Sequence, residues 1–278
     1  MKRMEFDKEL LNGLHGLSCI ENFVLYILKK EGFSHQCLYY QSYLPFSEIA
    51  KELIYKKTSY AYFYRVKRIQ NVAAESGIIQ MQTRSELDLD FICNHDYVCV
   101  MVKPEYMKDK YNVGLWREDH YILLADAGGF QFYYLNDTPR DAGIISFDLL
   151  RQIYGGKTIA IDIKQKIRGE MKQIYLRRLV QSMEIDRVAE KCNISNLITA
   201  RDILGICRIL RKRLYEFSSM YIDADYLVPY LNMLDKQYMA IEYLRLRKKD
   251  DYDKAGNILL NVAIEDIKNM ACILTDLK

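Results

Sequence analysis

The chain has 278 residues, of which 50 % are hydrophobic, and a formal net charge of +3. This composition is typical of a globular protein with one large or two small domains, and it excludes a disordered chain. A net charge this small does not favour nucleic-acid binding by itself. We find neither a signal-peptide pattern nor an apolar run of the roughly 18 residues that a membrane span needs, so we expect a cytoplasmic protein.

The first part of the chain mixes helical and strand patterns. Residues 20–30 carry apolar side chains at the spacing of one helix face, and Gly32 supplies a stop. Residues 91–102 and 121–135 are rich in Val, Ile, Tyr and Phe in short runs, which predicts strands.

From about residue 164 the pattern becomes helical. Apolar spacing predicts four long helices, at residues 171–188, 196–217, 226–246 and 257–277. We therefore predict an α+β fold with two parts, an N-terminal α+β domain at residues 1–163 and a helical subdomain at residues 164–278.

Cys19 lies at a predicted helix start. Ser18 and Glu21 have the S-x-x-E spacing of a capping box directly before the apolar run, which places Cys19 in the first turn. The unpaired N–H groups and the helix dipole favour an anion there, so the pattern predicts a thiol pKa below the usual value of about 8.5. The same N–H groups can bind an oxyanion. Because cysteine is often buried, a structural role for Cys19 is the alternative.

A predicted hairpin supplies the partners that a nucleophilic cysteine needs. Its two strand patterns are joined at Gly128-Gly129, a pair suited to a two-residue turn. With these glycines as the loop, His120 lies directly opposite Asp137, whose carboxylate would orient the imidazole as in a Cys-His-Asp triad. A register shift of one residue would place Asn136 there instead. The alternative is that His120 is a surface histidine at a strand end and that residues 137–139 form an ordinary turn.

The order of these residues resembles a known family. A cysteine at a helix start, a histidine opening a strand and an N-D-x-P motif are typical of the papain-like, bacteriocin-processing cysteine peptidases. More closely, residues 12–163 resemble the butirosin-biosynthesis acyltransferase N-terminal domain type, which includes the amide-forming cysteine-protease homologue of closthioamide assembly. The resemblance implies a papain-like cysteine-protease fold with an added C-terminal helical subdomain. It implies that Cys19 is the nucleophile, His120 the base and Asp137 the acid.

The resemblance also implies a reaction. An acyl group would pass from the phosphopantetheine thioester of an acyl or peptidyl carrier protein onto Cys19. It would then pass to a small amine or diamine, forming an amide in specialised, nonribosomal-peptide-type metabolism without ATP. The protein itself would bind no cofactor and no metal.

One position departs from the peptidase pattern. The bacteriocin-processing peptidases carry an oxyanion-donating glutamine six residues before the nucleophile, where this chain has Gly13. Asn12, His15 or the backbone N–H of Cys19 would have to serve instead. The difference weakens the case for peptidase activity, and a cysteine protease or thioesterase with the same triad is the enzymatic alternative.

Other polar groups have a structural interpretation beside a functional one. Cys93, His95 and Cys99 lie in one strand-like run with no fourth ligand nearby, so they do not predict a metal site. Asp223 and Asp225 would bind a cationic amine, or else only aid solubility. Basic groups in the helical half are either a solvated face or a docking surface for an acidic carrier protein. They are Arg177, Arg178, Arg208, Arg211, Lys212, Arg213, Arg245, Arg247, Lys248 and Lys249.

An alternative from a different class is nucleic-acid binding. Residues 183–204 have the pattern of a helix-turn-helix, and basic residues follow them. The small net charge and the absence of a glycine in the turn disfavour this reading. We therefore expect neither nucleic acid nor a membrane as a partner.

Overall fold

The computed structural model describes residues 1–114, 119–164, 169–247 and 251–278. The chain divides into two compact units. The first contains Met1–His35 and Arg68–Ile167, and the second contains Gln36–Lys67 and Arg168–Lys278. We predicted that all of residues 1–163 form one domain. In the structure, residues 36–67 belong instead to the unit of the C-terminal helices.

The elements match most of the sequence pattern. The helices of the described residues are α1 (Cys19–Lys30), α2 (Phe46–Tyr55), α3 (Ile69–Glu75), α4 (Leu89–Cys93), α5 (Pro104–Tyr111), α6 (Phe147–Ile153), α7 (Gly169–Ser182), α8 (Leu197–Ser218), α9 (Val228–Leu246) and α10 (Tyr252–Leu277). The strands are β1 (Ile79–Arg84), β2 (Tyr97–Val102), β3 (His120–Gly128), β4 (Gln131–Asp137), β5 (Arg140–Ser146) and β6 (Tyr154–Ile163). The fold is therefore α+β, as predicted.

One predicted strand begins later than expected. Residues 91–93 belong to helix α4, and only residues 97–102 form strand β2. The helix starts at an N-cap, Asp88, whose side chain accepts a hydrogen bond from the N–H of Asp90. The apolar run therefore contains the end of a short helix and then a buried strand, which its hydrophobicity alone does not separate.

In the first unit the strands form one antiparallel sheet with the order β1-β6-β2-β3-β4-β5. Even-numbered residues of the central strands, such as Val100, Ile122 and Leu124, pack with Met107 of α5 and Leu150 of α6. Helix α1 contacts β3 and β4. Because successive side chains of a strand point to opposite faces, the two sides of β3 meet different helices.

In the second unit helix α8 is central. It contacts α2, α9 and α10, and its apolar side chains, including Leu204, Leu210 and Phe217, are buried. The four helices predicted in this half are confirmed, although α7 ends at Ser182, before the predicted end at residue 188. Among the residues that the structure describes, no helix is long and apolar enough to cross a membrane.

The alternative of a helix-turn-helix at residues 183–204 is wrong. Residues 183–196 form no helix, and Asn196 caps the start of α8. Hydrogen bonds hold this segment in a non-helical path beside α2. The Asp186 carboxylate accepts from the N–H and hydroxyl of Ser47, and the Tyr43 hydroxyl donates to the carbonyl of Glu184.

Candidate active site

Cys19 is the first residue of helix α1, as the capping pattern predicts. The Ser18 side chain accepts a hydrogen bond from the N–H of Glu21 at 3.3 Å. The fully buried Glu21 carboxylate accepts from the N–H of Leu17 and, at 2.8 Å, from the N–H of Ile69. A buried charge is costly unless it is paired and hydrogen-bonded, so these contacts fix the loop that precedes the nucleophile.

The pKa of the Cys19 thiol shifts in the direction opposite to the one that the sequence predicts. Burial, followed by the charge of Asp137, raises the pKa of Cys19 from its ordinary value to about 12. The backbone N–H groups of Tyr121, Ile20 and Cys19 itself lower the pKa, but by less. The predicted drop in pKa is therefore wrong, because desolvation and a nearby carboxylate outweigh the helix start. At neutral pH the thiol is protonated.

The hairpin is confirmed, but its turn lies one residue later than predicted. Gly128 pairs with Gln131, so Gly129 and Phe130 form the two-residue loop, with φ of 63° and 60°. The register then shifts between Asp126 and Gly128, so that Leu123 pairs with Leu135 where the predicted register would have paired it with Tyr134. A one-residue slip moves every side chain of a strand to the other face. His120 therefore does not lie opposite Asp137, and that part of the prediction is wrong.

His120 is hydrogen-bonded to Asn136. With the observed register the two are diagonal neighbours on one face, and His120 Nε2 lies 2.6 Å from Asn136 Oδ1. The amide nitrogen of Asn136 donates to the carbonyl of Pro139 at 2.6 Å, which turns the amide oxygen toward the ring. An oxygen acceptor requires a proton on Nε2, so in the neutral form of the ring the lone pair lies on Nδ1. Both His120 and Asn136 are buried.

Asp137 lies on the Cys19 side of the strand. Its Oδ2 accepts a hydrogen bond from Asn22 Nδ2 at 2.9 Å. Burial raises the pKa of Asp137, while the bond from Asn22 and the charge of His120 lower it. Asp137 therefore interacts electrostatically with both Cys19 and His120, the other two residues of the predicted triad.

Asn22 is a site residue that the sequence analysis missed. It lies one turn after Cys19 on α1, and its Oδ1 accepts from the N–H of Gly16 at 2.9 Å while Nδ2 holds Asp137. A Cβ at Gly16 would lie 2.2 Å from Asn22 Oδ1, so only glycine fits this approach. The available signal was a polar residue three positions after the nucleophile, on the same helix face.

The two upstream candidates for oxyanion support are Asn12 and His15. Asn12 is exposed, and its side chain donates to Glu9 Oε2 at 2.8 Å and accepts from Arg140. His15 lies half-buried in the loop before α1. The groups that favour an anion at the Cys19 sulfur are the backbone N–H groups of Tyr121, Ile20 and Cys19, which lower the pKa of the thiol.

The carboxylates proposed for amine binding lie in the second unit, whereas Cys19 lies in the first. Asp225 accepts from the Tyr215 hydroxyl at 2.9 Å, and Asp223 accepts from the N–H of Asp225 at 3.2 Å. These contacts organise the turn before α9.

Two of the basic residues considered for a docking surface or a solvated face lie on neither. Arg211 and Arg213 are buried, and Arg211 forms a bidentate ion pair with Asp266. Arg208 and Lys212 share Asp235. The sequence shows the charges but not the acidic partners that neutralise them. Lys248 and Lys249 lie outside the described residues.

The possible metal ligands have other partners. His95 Nδ1 lies 2.9 Å from Asp162 Oδ2. Cys99 is fully buried, close to Cys19 and Asp137. Across the ranges that the structure describes, no group of three or more His, Cys, Asp or Glu side chains is placed to hold a metal ion.

No protein-family model matches the chain, and no curated protein matches its sequence.

Proposed function

We propose that the protein is a cysteine-dependent acyltransferase that forms an acyl-enzyme on Cys19. One observation carries the proposal: the first residue of helix α1 is a buried cysteine whose pKa is lowered by the backbone N–H of Tyr121 and raised by the charge of Asp137. Tyr121 directly follows His120, so a nucleophile, a base and an acid come from a helix start and two adjacent strands. This arrangement supports a papain-like catalytic unit.

The raised pKa of Cys19 defines how the nucleophile must be activated. A protonated thiol has to lose its proton as it attacks, and the base that we propose for this step is Nδ1 of His120, whose Nε2 is hydrogen-bonded to Asn136. Asn136 keeps the ring in the required tautomer, and Asp137 stabilises the imidazolium that forms. The backbone N–H groups at the helix start then bind the oxyanion of the tetrahedral intermediate.

A thioester suits this site as the acyl donor. Exchange of a thiol with a thioester is nearly isoenergetic, so no ATP is needed. The donor we propose is the phosphopantetheine thioester of an acyl or peptidyl carrier protein, and the acceptor is an amine. In the second step His120 takes the proton of the attacking nitrogen, the amide forms, and Cys19 leaves as the thiol.

Intact-mass spectrometry tests the first step. Incubation with a carrier protein bearing an acyl-phosphopantetheine arm, or with an acyl-N-acetylcysteamine thioester, should add the acyl mass to the protein. Cys19→Ala should abolish the adduct, and His120→Ala should slow its formation by about 100-fold or more. Cys272→Ala is the matched control, because Cys272 is an exposed cysteine of the second unit.

An adduct that survives Cys19→Ala would overturn the proposal. The fate of the adduct separates the enzymatic alternatives. An acyltransferase yields an amide when an amine is added, whereas a thioesterase or protease yields only the free acid at the same rate with or without the amine.

A further inference from the structure

Two adjoining clefts of the second unit have no role in the steps above. The first has a volume of about 420 Å³ and is lined by α2, α10 and residues 186–192. The second has a volume of about 300 Å³ and is lined by the end of α2, the start of α8 and the residues next to them. Ile54 lines both clefts, and Cys192 of the first is followed in the chain by Asn193 of the second. Together the clefts form one groove, which we call the α2 groove.

One wall of the α2 groove is a stretch of backbone without hydrogen bonds. The bonds that hold residues 184–186 beside α2 end at Asp186. Among the described residues, no hydrogen bond joins the backbone of residues 187–195 to another group. Six of these nine residues are exposed. Their N–H and C=O groups are therefore available to pair with a second chain, as at an open sheet edge.

The first cleft offers apolar surface to the side chains of such a second chain. Ala50 and Ile54 of α2 line it. Tyr55 and Val188 also line it, and they are 76 % and 71 % exposed. Large apolar side chains that are left this open next to a concave surface are typical of a binding groove.

The charges of the two clefts differ. The charged residues of the first cleft are three acids and three bases, so it has no net charge: Glu48, Asp186, Glu190, Lys51, Arg187 and Lys191. The second cleft contains Lys57 and Asp202, and the Arg201 guanidinium balances Asp202 at 2.6 Å. Lys57 is exposed and has no ion-pair partner within the described ranges. With the hydroxyl groups of Ser59 and Thr199, it offers the second cleft to one anionic group.

We propose that the α2 groove binds the extended C-terminal tail of a partner protein. The tail pairs its backbone with residues 187–195, places apolar side chains in the first cleft and sets its terminal carboxylate beside Lys57. A C-terminus joins these three features, because its negative charge lies at the end of a chain that is otherwise free to be neutral. The proposal does not rest on acyl transfer, since every residue of the groove belongs to the second unit.

The order of the clefts sets the direction of the tail. Its carboxylate lies at the cleft that residues 193–196 line, so the tail runs parallel to residues 187–195. In a parallel pair every second residue directs its N–H and C=O to the neighbouring strand. The groove therefore uses the backbone of alternate residues of the tail.

A peptide selection supplies the probe. A library of random heptapeptides, displayed with free C-termini, is selected on the full chain. An enriched peptide is then synthesised with an N-terminal fluorescein, once as the free acid and once as the C-terminal amide. Fluorescence anisotropy at low ionic strength gives the Kd of both. We expect the amide to bind about 5-fold more weakly, as for loss of an exposed ion pair.

Lys57→Ala tests the contact with the carboxylate. It should weaken binding of the free acid by about 5-fold and leave binding of the amide unchanged, because the amide has already lost this contact. Lys56→Ala is the matched control, since Lys56 is an exposed lysine that pairs with Glu52 and lines neither cleft. It should change the Kd of neither peptide.

N-methylation of the peptide tests the backbone pairing. A methyl group on the nitrogen of a residue that faces residues 187–195 removes a hydrogen bond, so binding should weaken by about 10-fold. The residues between these should tolerate the methyl group. Equal effects at all positions would contradict the pairing.

Cys192 reports where the peptide binds. It is a half-buried cysteine of the first cleft, whereas Cys272 is exposed and lines neither cleft. Saturating peptide should slow the labelling of Cys192 by iodoacetamide and leave that of Cys272 unchanged. If no free-acid peptide is enriched, if acid and amide bind alike, or if bound peptide leaves Cys192 labelling unchanged, the proposal fails. None of these results bears on acylation of Cys19.

Discussion

At the scale of single residues, Asn22 gives the site its rigidity. One side-chain amide joins the Gly16 loop on one side and the Asp137 carboxylate on the other. Side chains locked by two hydrogen bonds hold reacting groups in place better than groups left to rotate. The position of the acid relative to Cys19 therefore depends on a residue that takes no part in proton transfer.

Removing the charge of Asp137 should make Cys19 more acidic. The carboxylate disfavours the thiolate, and it contributes to the rise of the Cys19 pKa to about 12. In Asp137→Asn the thiolate fraction at pH 9 should be larger, so iodoacetamide should label Cys19 faster than in the wild type. The measurement is the pH dependence of labelling of the Cys19 peptide, because Cys93 and Cys272 are exposed and also react.

Asp148→Asn serves as the control, since Asp148 is an exposed acid in the first turn of α6. Acyl transfer by Asp137→Asn should fall although labelling rises, because the imidazolium of His120 loses its counter-charge. Slower labelling in Asp137→Asn would contradict the prediction. It would mean that Asp137 acts on Cys19 mainly through the protonated imidazole.

At the scale of elements, the hairpin turn and the register shift between Asp126 and Gly128 together determine which side chain His120 contacts. Gly129 and Phe130 both have positive φ, as a two-residue turn of this kind requires. A bulky side chain at positive φ costs about 1–2 kcal/mol. The ring of Phe130 is 69 % exposed, so it recovers little of this cost by burial.

Phe130→Gly should therefore raise the free energy of unfolding by about 1 kcal/mol. Phe130→Ala keeps a Cβ at the same backbone angles and should leave stability nearly unchanged. Urea denaturation of both variants makes the comparison. Equal stabilisation by alanine and glycine would show that the exposed ring, and not the backbone angle, is the cause.

The hairpin could be predicted from the sequence, but its register could not. The helix start at Cys19 was predictable because Ser18 and Glu21 form a local pattern. The existence of the hairpin was predictable from Gly128-Gly129. The register was not, because a glycine pair has a favourable alternative one residue later, and that choice depends on the surrounding sheet. Asn22 was missed because its partners, Gly16 and Asp137, meet only in the folded chain.

At the scale of the whole molecule, the second unit contains a buried ion pair. Arg211 is 1 % exposed and binds both oxygens of Asp266, to which the Tyr230 hydroxyl also donates. Removing one member of such a pair leaves an unpaired charge in the core. Arg211, one of the basic residues considered for a docking surface, thus stabilises the packing of the helices.

Arg211→Leu should destabilise the protein by about 3–5 kcal/mol. Arg208→Leu breaks the more exposed pair with Asp235 and should cost at most about 1 kcal/mol. The helical signal in circular dichroism, followed through urea denaturation, reports both. A loss of less than 1 kcal/mol in Arg211→Leu would indicate that the pair is stabilised no better than an apolar contact.

The placement of residues 36–67 has a consequence for synthesis of the chain. Helix α2 contacts α8 and α10, which emerge from the ribosome long after it. At a synthesis rate of about 5–20 residues per second, the apolar side chains of α2 remain without these packing partners for on the order of ten seconds. During that interval Ile49 and Leu53, which are buried in the finished protein, are open to chaperones and to other nascent chains. Slow codons between α2 and α8 should therefore lower the yield of folded protein.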